Sequence, residues 1–140
     1  MRIVETLVEH LTISGSLDEL AKVHDWAKTF LARAEISDAL HYNVLLAVSE
    51  AVTNAIRHGS KEIKDELVHI SAWYEGKMLT VSVKDHGEGF IPDDLPDPTQ
   101  KEHLLTKGGR GVFLLKSLTH YVRFDCSNQG TTVTFKFALD

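Results

Sequence analysis

Val68-His69-Ile70-Ser71-Ala72-Trp73-Tyr74-Glu75-Gly76-Lys77-Met78-Leu79-Thr80-Val81-Ser82-Val83-Lys84 is where the chain changes period. Val68, Ile70, Ala72 and Tyr74 alternate with His69, Ser71 and Trp73. Beyond the turn at Glu75-Gly76, Leu79, Val81 and Val83 alternate with Thr80, Ser82 and Lys84. Period two with β-branched and aromatic residues predicts an antiparallel hairpin with one covered face. Upstream the pattern is helical. Ser16 and Glu19 suggest a capping box, and Leu20, Val23, Ala27, Phe30, Leu31 and Ala34 recur on one helix face. A second helix is expected from Ser37 as N-cap to about His58, stopped by Gly59, with Leu40, Val44, Ala47, Val48, Ala51 and Ala55 as its buried stripe.

Around this middle lie further elements. The segment up to about Ser14 reads as an edge strand. Residues 91–107 read as a long loop, and about Gly111–Thr119 as a third helix. Two closing strands, about Tyr121–Ser127 and Thr131–Leu139, join through Asn128-Gln129-Gly130. The expected class is α+β, with helices packed on one face of a mostly antiparallel sheet, and residues 1–140 as a single domain.

The 140 residues are 43% apolar and 25% charged, ordinary for a globular domain. No apolar run approaches a membrane span, and no signal-peptide pattern opens the chain. The single cysteine, Cys126, excludes an internal disulfide and suits a reducing cytoplasm; its phase with Val122 and Phe124 predicts a small core residue. A formal charge of −5 argues against a broad nucleic-acid surface, so neither nucleic acid nor membrane is expected as a partner.

Three segments carry candidate chemistry. Glu50 and Asn54 stand at i and i+4 on the second helix, among residues apolar enough to be core. Asn54 offers a carbonyl oxygen suited to Mg²⁺, and Glu50 a carboxylate suited to a general base. A solvated helix face is the alternative for such a pair. His58 lies near the same face, where a capping or packing role competes with any ligand role. Asp85 continues the phase of Leu79, Val81 and Val83, so its carboxylate is expected on the covered face, where burial demands a donor. The amino group of a purine would supply one, with Gly87 and Gly89 admitting a flat ring. An ordinary strand-end Asp-x-Gly turn would use the same residues without a ligand. Thr131, in phase with Val133, Phe135 and Phe137, would place its hydroxyl beside Asp85. Gly108-Gly109-Arg110-Gly111 precedes the apolar run from Val112 and suggests phosphate-binding N–H groups at a helix start, with Lys107 and Arg110 within reach of a polyphosphate. It is neither a P-loop nor a dinucleotide fingerprint.

Taken together, Glu50-x-x-x-Asn54, Asp85-x-Gly87-x-Gly89 and Gly109-x-Gly111 before an apolar helix resemble the N box and the two G boxes of the GHKL ATPase superfamily. The context Ala47-Val48-Ser49-Glu50-Ala51-Val52-Thr53-Asn54-Ala55-Ile56-Arg57-His58-Gly59 is most similar to the bacterial anti-sigma-factor serine/threonine kinases. The segment Gly109–Leu118 and the ending Gly130-Thr131-Thr132-Val133 fit the same group. The resemblance implies a Bergerat-type fold with ATP under a lid. Asn54 would ligate Mg²⁺, Asp85 would read the adenine amino group, and Gly87, Gly89, Gly108, Gly109, Gly111, Val112 and Thr131 would shape the nucleotide pocket. Glu50 would activate a serine or threonine hydroxyl of a STAS-domain anti-anti-sigma factor. It also implies binding and inhibition of a sigma factor, and a homodimer. The rival from another class is a non-catalytic module that binds ATP and switches partners. The base at Glu50 favours the kinase.

Overall fold

The computed structural model describes residues 7–60, 63, 65–87, 109–127 and 129–139, and for residues 109–113 the backbone alone. The expected loop at 91–107, with Gly89, Lys107 and Gly108, lies outside the described residues. Five strands form one sheet: β1 (Leu7–Ile13), β2 (Val68–Glu75), β3 (Met78–Asp85), β4 (Tyr121–Ser127) and β5 (Gly130–Ala138), in the order β1-β2-β3-β5-β4. Every neighbouring pair is antiparallel. β1 is an edge strand, as its mixed polarity suggested, and β2–β3 is the expected hairpin, with Ile70 opposite Val83 and Ala72 opposite Val81.

Three helices pair with this sheet's apolar face: α1 (Leu20–Arg33), α2 (Asp38–Asn54) and α3 (Gly109–Leu118). The core joins Val23, Ala27, Phe30 and Leu31 of α1 and Val44, Ala47, Val48, Ala51 and Val52 of α2 to alternate strand residues. Ile70, Leu79, Val81, Phe135 and Phe137 are the centre of the sheet's contribution. The same alternation leaves the opposite face to His10, Thr12, His69, Ser71, Lys84 and Arg123, so among the described residues helices cover one side only. The architecture is the expected α+β, helices on one face of an antiparallel sheet. No helix among the described residues is long and apolar enough to cross a membrane.

Four local expectations change. Ser16 does not close a capping box with Glu19. Its hydroxyl accepts from the Asp18 N–H, a 3₁₀ turn covers Leu17–Glu19, and the Glu19 carboxylate takes a bond from the Ser14 hydroxyl at 3.1 Å. Ser37 is the N-cap of α2 as expected, in extended conformation, but its side chain makes no capping hydrogen bond. The α-helix ends at Asn54 and continues as a π-helical turn, Ala55–Gly59, closed by the Ser60 N–H on the Ala55 carbonyl at 2.8 Å. Cys126 is only partly buried, because its strand β4 is the other edge of the sheet.

Candidate active site

The site forms where the end of α2 meets the end of β3. Val81 and Val83 point into the core, and strand alternation carries Asp85 to the same side, where it is 5% exposed. A carboxylate there needs donors. Its Oδ1 accepts two backbone N–H bonds, from Gly87 at 3.0 Å and from Thr131 at 3.3 Å. Both bonds go to Oδ1, and Oδ2 takes no hydrogen bond from the described residues. Burial pushes the Asp85 carboxyl above the ordinary aspartate range, against the opposing pull of those two N–H groups and of His86. Desolvation therefore outweighs what the chain itself offers this group.

Three glycines interlock around it. A Cβ on Gly59 would lie 2.6 Å from the Asp85 Cβ and nearer still to its carboxylate. One on Gly87 would lie 2.7 Å from the Gly59 Cα. Gly130, at φ 135°, brings β5 so close that a Cβ would fall 2.9 Å from the Asp85 carbonyl carbon. That backbone angle itself requires glycine. The π-helical turn supplies the remaining adjustment, since its wider spacing delivers Gly59 onto β3, and such turns recur at functional sites. Beyond their place in the family resemblance, Gly59 and Gly130 enter the sequence reading as a helix stop and a turn residue. Their contact with Asp85 is tertiary, and the one signal for it is glycine at the end of the Asn54-bearing helix.

Thr131 shares the covered face, as its phase predicts. It is 6% exposed, and its Oγ1 is buried without a hydrogen-bond partner among the described residues. An orphaned hydroxyl beside a carboxylate whose second oxygen takes no bond from the described residues is a recognition pair for a ligand that carries both a donor and an acceptor.

Glu50 and Asn54 lie one turn apart on α2 and are half-buried, neither enclosed in the core nor on a fully solvated face. His58 is exposed on the π-helical turn. Gly109, Arg110, Gly111 and Val112 form the first turn of α3 rather than a loop before it, so the helix starts two residues earlier than expected. The glycines thus belong to the turn whose N–H groups lack intrahelical acceptors. No cluster of three or more His, Cys, Asp or Glu side chains capable of holding a metal occurs among the described residues. The donor chemistry of the site is instead one half-buried amide oxygen. This suits a Mg²⁺ ion that keeps waters and phosphates as its other ligands.

The sequence profile of the histidine kinase-like ATPase domain matches residues 13–137. The chain belongs to that family. Within this ATPase family it is 32% identical over 129 residues to the serine-protein kinase RsbW of Bacillus subtilis (strain 168), covering 88% of this chain and 71% of that protein. It is 35% identical over 129 residues to the anti-sigma F factor of Bacillus velezensis, covering 89% and 87%. The fold is also that of a crystal structure of the RsbU and RsbW domains of a Mycobacterium tuberculosis protein. The TM-score there is 0.72 at 20% identity, over 95% of this chain and 32% of the other. The resemblance drawn from the three boxes thus agrees with the family, and the Bergerat-type architecture is the one these ATPase relatives share.

Proposed function

We propose that the chain is an ATP-dependent serine/threonine protein kinase of the partner-switching type. It phosphorylates a STAS-domain anti-anti-sigma factor, binds and inhibits a sigma factor, and works as a cytoplasmic homodimer. The observation that carries this reading is the pairing of Asp85 with Thr131. A buried carboxylate whose second oxygen takes no bond from the described residues, beside a buried hydroxyl without a partner among them, presents an acceptor and a donor to the amino edge of adenine. The relatives named for serine kinase and anti-sigma activity add the reaction class.

In this reading each residue has a distinct task. Asp85 Oδ2 accepts from the adenine amino group, the Thr131 hydroxyl completes that edge, and Gly87 and Gly89 admit the ring. Asn54 holds Mg²⁺, which neutralises phosphate charge when bound. The α3 N–H groups from Gly109, Gly111 and Val112, with Lys107, Gly108 and Arg110, receive the polyphosphate. His58 lines the same end of α2. Glu50 takes the proton from a serine or threonine hydroxyl of the partner as its oxygen bonds to the γ-phosphorus, and the bond to the ADP oxygen breaks. Positioning and charge neutralisation are the main demands of such a transfer, and this residue set meets both.

The test is incubation of the chain with γ-labelled ATP, Mg²⁺ and each STAS-domain protein of the same genome, beside Glu50→Ala. Label on a serine or threonine of one candidate, absent with the variant, is expected. Intact ATP binding without transfer to any candidate would leave the chain a nucleotide-dependent binding module.

A further inference from the structure

The uncovered face of the sheet carries a second constellation that the kinase reading does not use. β1, β2 and β3 align Thr12, His69 and Lys84 in one row, and His86 stands just past the end of β3. The Nε2 atoms of His69 and His86 are 2.9 Å apart, with the rings edge to face at 89°. On its other side His69 Nδ1 is 3.1 Å from the Thr12 hydroxyl. With the proton on Nδ1, His69 donates to Thr12 and accepts from the Nε2–H of His86.

We propose that His69 and His86 form a site for one borderline divalent transition metal, of the Zn²⁺ class, held by the two Nε2 atoms and completed by water. The argument is geometric. Two imidazole nitrogens on one tetrahedral ion at about 2.0–2.1 Å lie about 3.3 Å apart. The two nitrogens therefore separate by only about 0.4 Å, while both rings turn so that their lone pairs converge on the ion. The Thr12 contact is the outer-sphere bond that fixes a metal-binding histidine's tautomer and orientation. On binding, the His86 proton moves through solvent from Nε2 to Nδ1 of the same ring, which frees the Nε2 lone pair for the ion. His86 is exposed and His69 half-buried, which gives the ion an entry path. The exposed Lys84 opposes the cation by its charge and sets the site at modest affinity. No third His, Cys, Asp or Glu joins the pair among the described residues, so water positions remain open. Imidazole pairs favour Zn²⁺, Ni²⁺ and Cu²⁺ over the hard, oxygen-seeking Mg²⁺, which keeps this site distinct from the nucleotide's ion.

The experiment is calorimetric titration of Zn²⁺ into the tag-free, nucleotide-free chain in Mg²⁺-containing buffer. One ion per chain is expected, with His69→Gln and His86→Gln each weakening it at least about tenfold, while His10→Gln on the same face leaves it unchanged. Nitrogen-15 imidazole spectra of the unsubstituted chain guard against misfolded variants. The His69 and His86 resonances should move together and saturate at one equivalent. Absence of binding, affinity unchanged from the parent in either variant, or shifts confined to other histidines would overturn the proposal.

Discussion

Replacing Asp85 by asparagine should separate what this residue does for the ligand from what it does to the fold. In the ligand-free chain, burial raises the carboxyl's pKa despite two N–H bonds at 3.0 and 3.3 Å. An asparagine can keep its carbonyl oxygen at the Oδ1 position and retain both bonds, while the buried charge disappears. Asp85→Asn is therefore expected to melt no lower than the parent without nucleotide, and higher at neutral pH. The pH dependence follows from the sign of the shift. A carboxyl with its folded pKa above its unfolded value near 3.8 binds more protons folded than unfolded. Its contribution is most favourable below that value, declines as pH rises through the folded pKa, and is constant above it. Every other carboxylate is common to both proteins, so the difference in melting temperature isolates Asp85. It should shrink as pH falls toward 3.8.

For the nucleotide the outcome is opposite. The amide nitrogen at the Oδ2 position turns an acceptor into a donor facing the adenine amino group. Losing a hydrogen bond to a charged group costs about 1.5–3 kcal/mol, or about 10- to 150-fold in Kd. Calorimetry with Mg·ATP, paired with melting curves from about pH 4 to 7, reads both effects. A variant that melts well below the parent yet binds ATP equally would show a structural aspartate and refute the reasoning.

Glu50→Ala should keep Mg·ATP affinity while slowing transfer by about 10²- to 10⁴-fold, the usual worth of a general base, in a single-turnover phosphorylation assay. Normal turnover would remove Glu50 from that role. Asn54→Ala should erase most of the Mg²⁺-dependent increment in nucleotide affinity, which titrations with and without Mg²⁺ would show; an unchanged increment contradicts the ligand assignment. Gly59→Ala forces a Cβ to within 2.6 Å of the Asp85 Cβ. It should cost about 1–3 kcal/mol in urea unfolding and weaken ATP binding, and a variant unaffected in both would mean the contact is not tight. Phe135→Ala, at a position with no exposure, should cost about 3–5 kcal/mol by the same unfolding assay, with a smaller loss arguing for a collapsible core.

The sheet and the placement of Asp85 were legible because strand phase is local. Once Leu79, Val81 and Val83 are assigned inward, Asp85 must follow, and Thr131 follows in turn from Val133 and Phe135. The strand order β1-β2-β3-β5-β4 was not legible, since pairing β3 with β5 depends on contacts 46 residues apart, such as the Thr131 N–H on Asp85. The π-helical turn was also hidden. Ala55-Ile56-Arg57-His58 suits an α-helix by propensity, and only the meeting of Gly59 with β3 calls for the wider turn. Ser16 misled for a related reason: its hydroxyl satisfies a nearer N–H, and Glu19 is drawn to Ser14 instead.

Gly59 and Glu50 belong to one continuous helical segment, and this ties the two ends of the proposed site together. Nine residues separate them (59 − 50), about 13 Å of helix. Asp85, the proposed adenine reader, is wedged against one end by Gly59, and the proposed base Glu50 stands toward the other. A donor arriving at Asp85 Oδ2 relieves a desolvation that the chain alone leaves uncompensated. The folded state gains that relief only with ligand bound, and at a hundredfold excess over Kd binding adds about 2.7 kcal/mol of stability. Gly59 packs directly against the Asp85 carboxylate, so protection of the 55–60 amides from hydrogen exchange should rise when Mg·ATP is added. Unchanged protection there would separate the proposed nucleotide site from the helix end that carries Asn54.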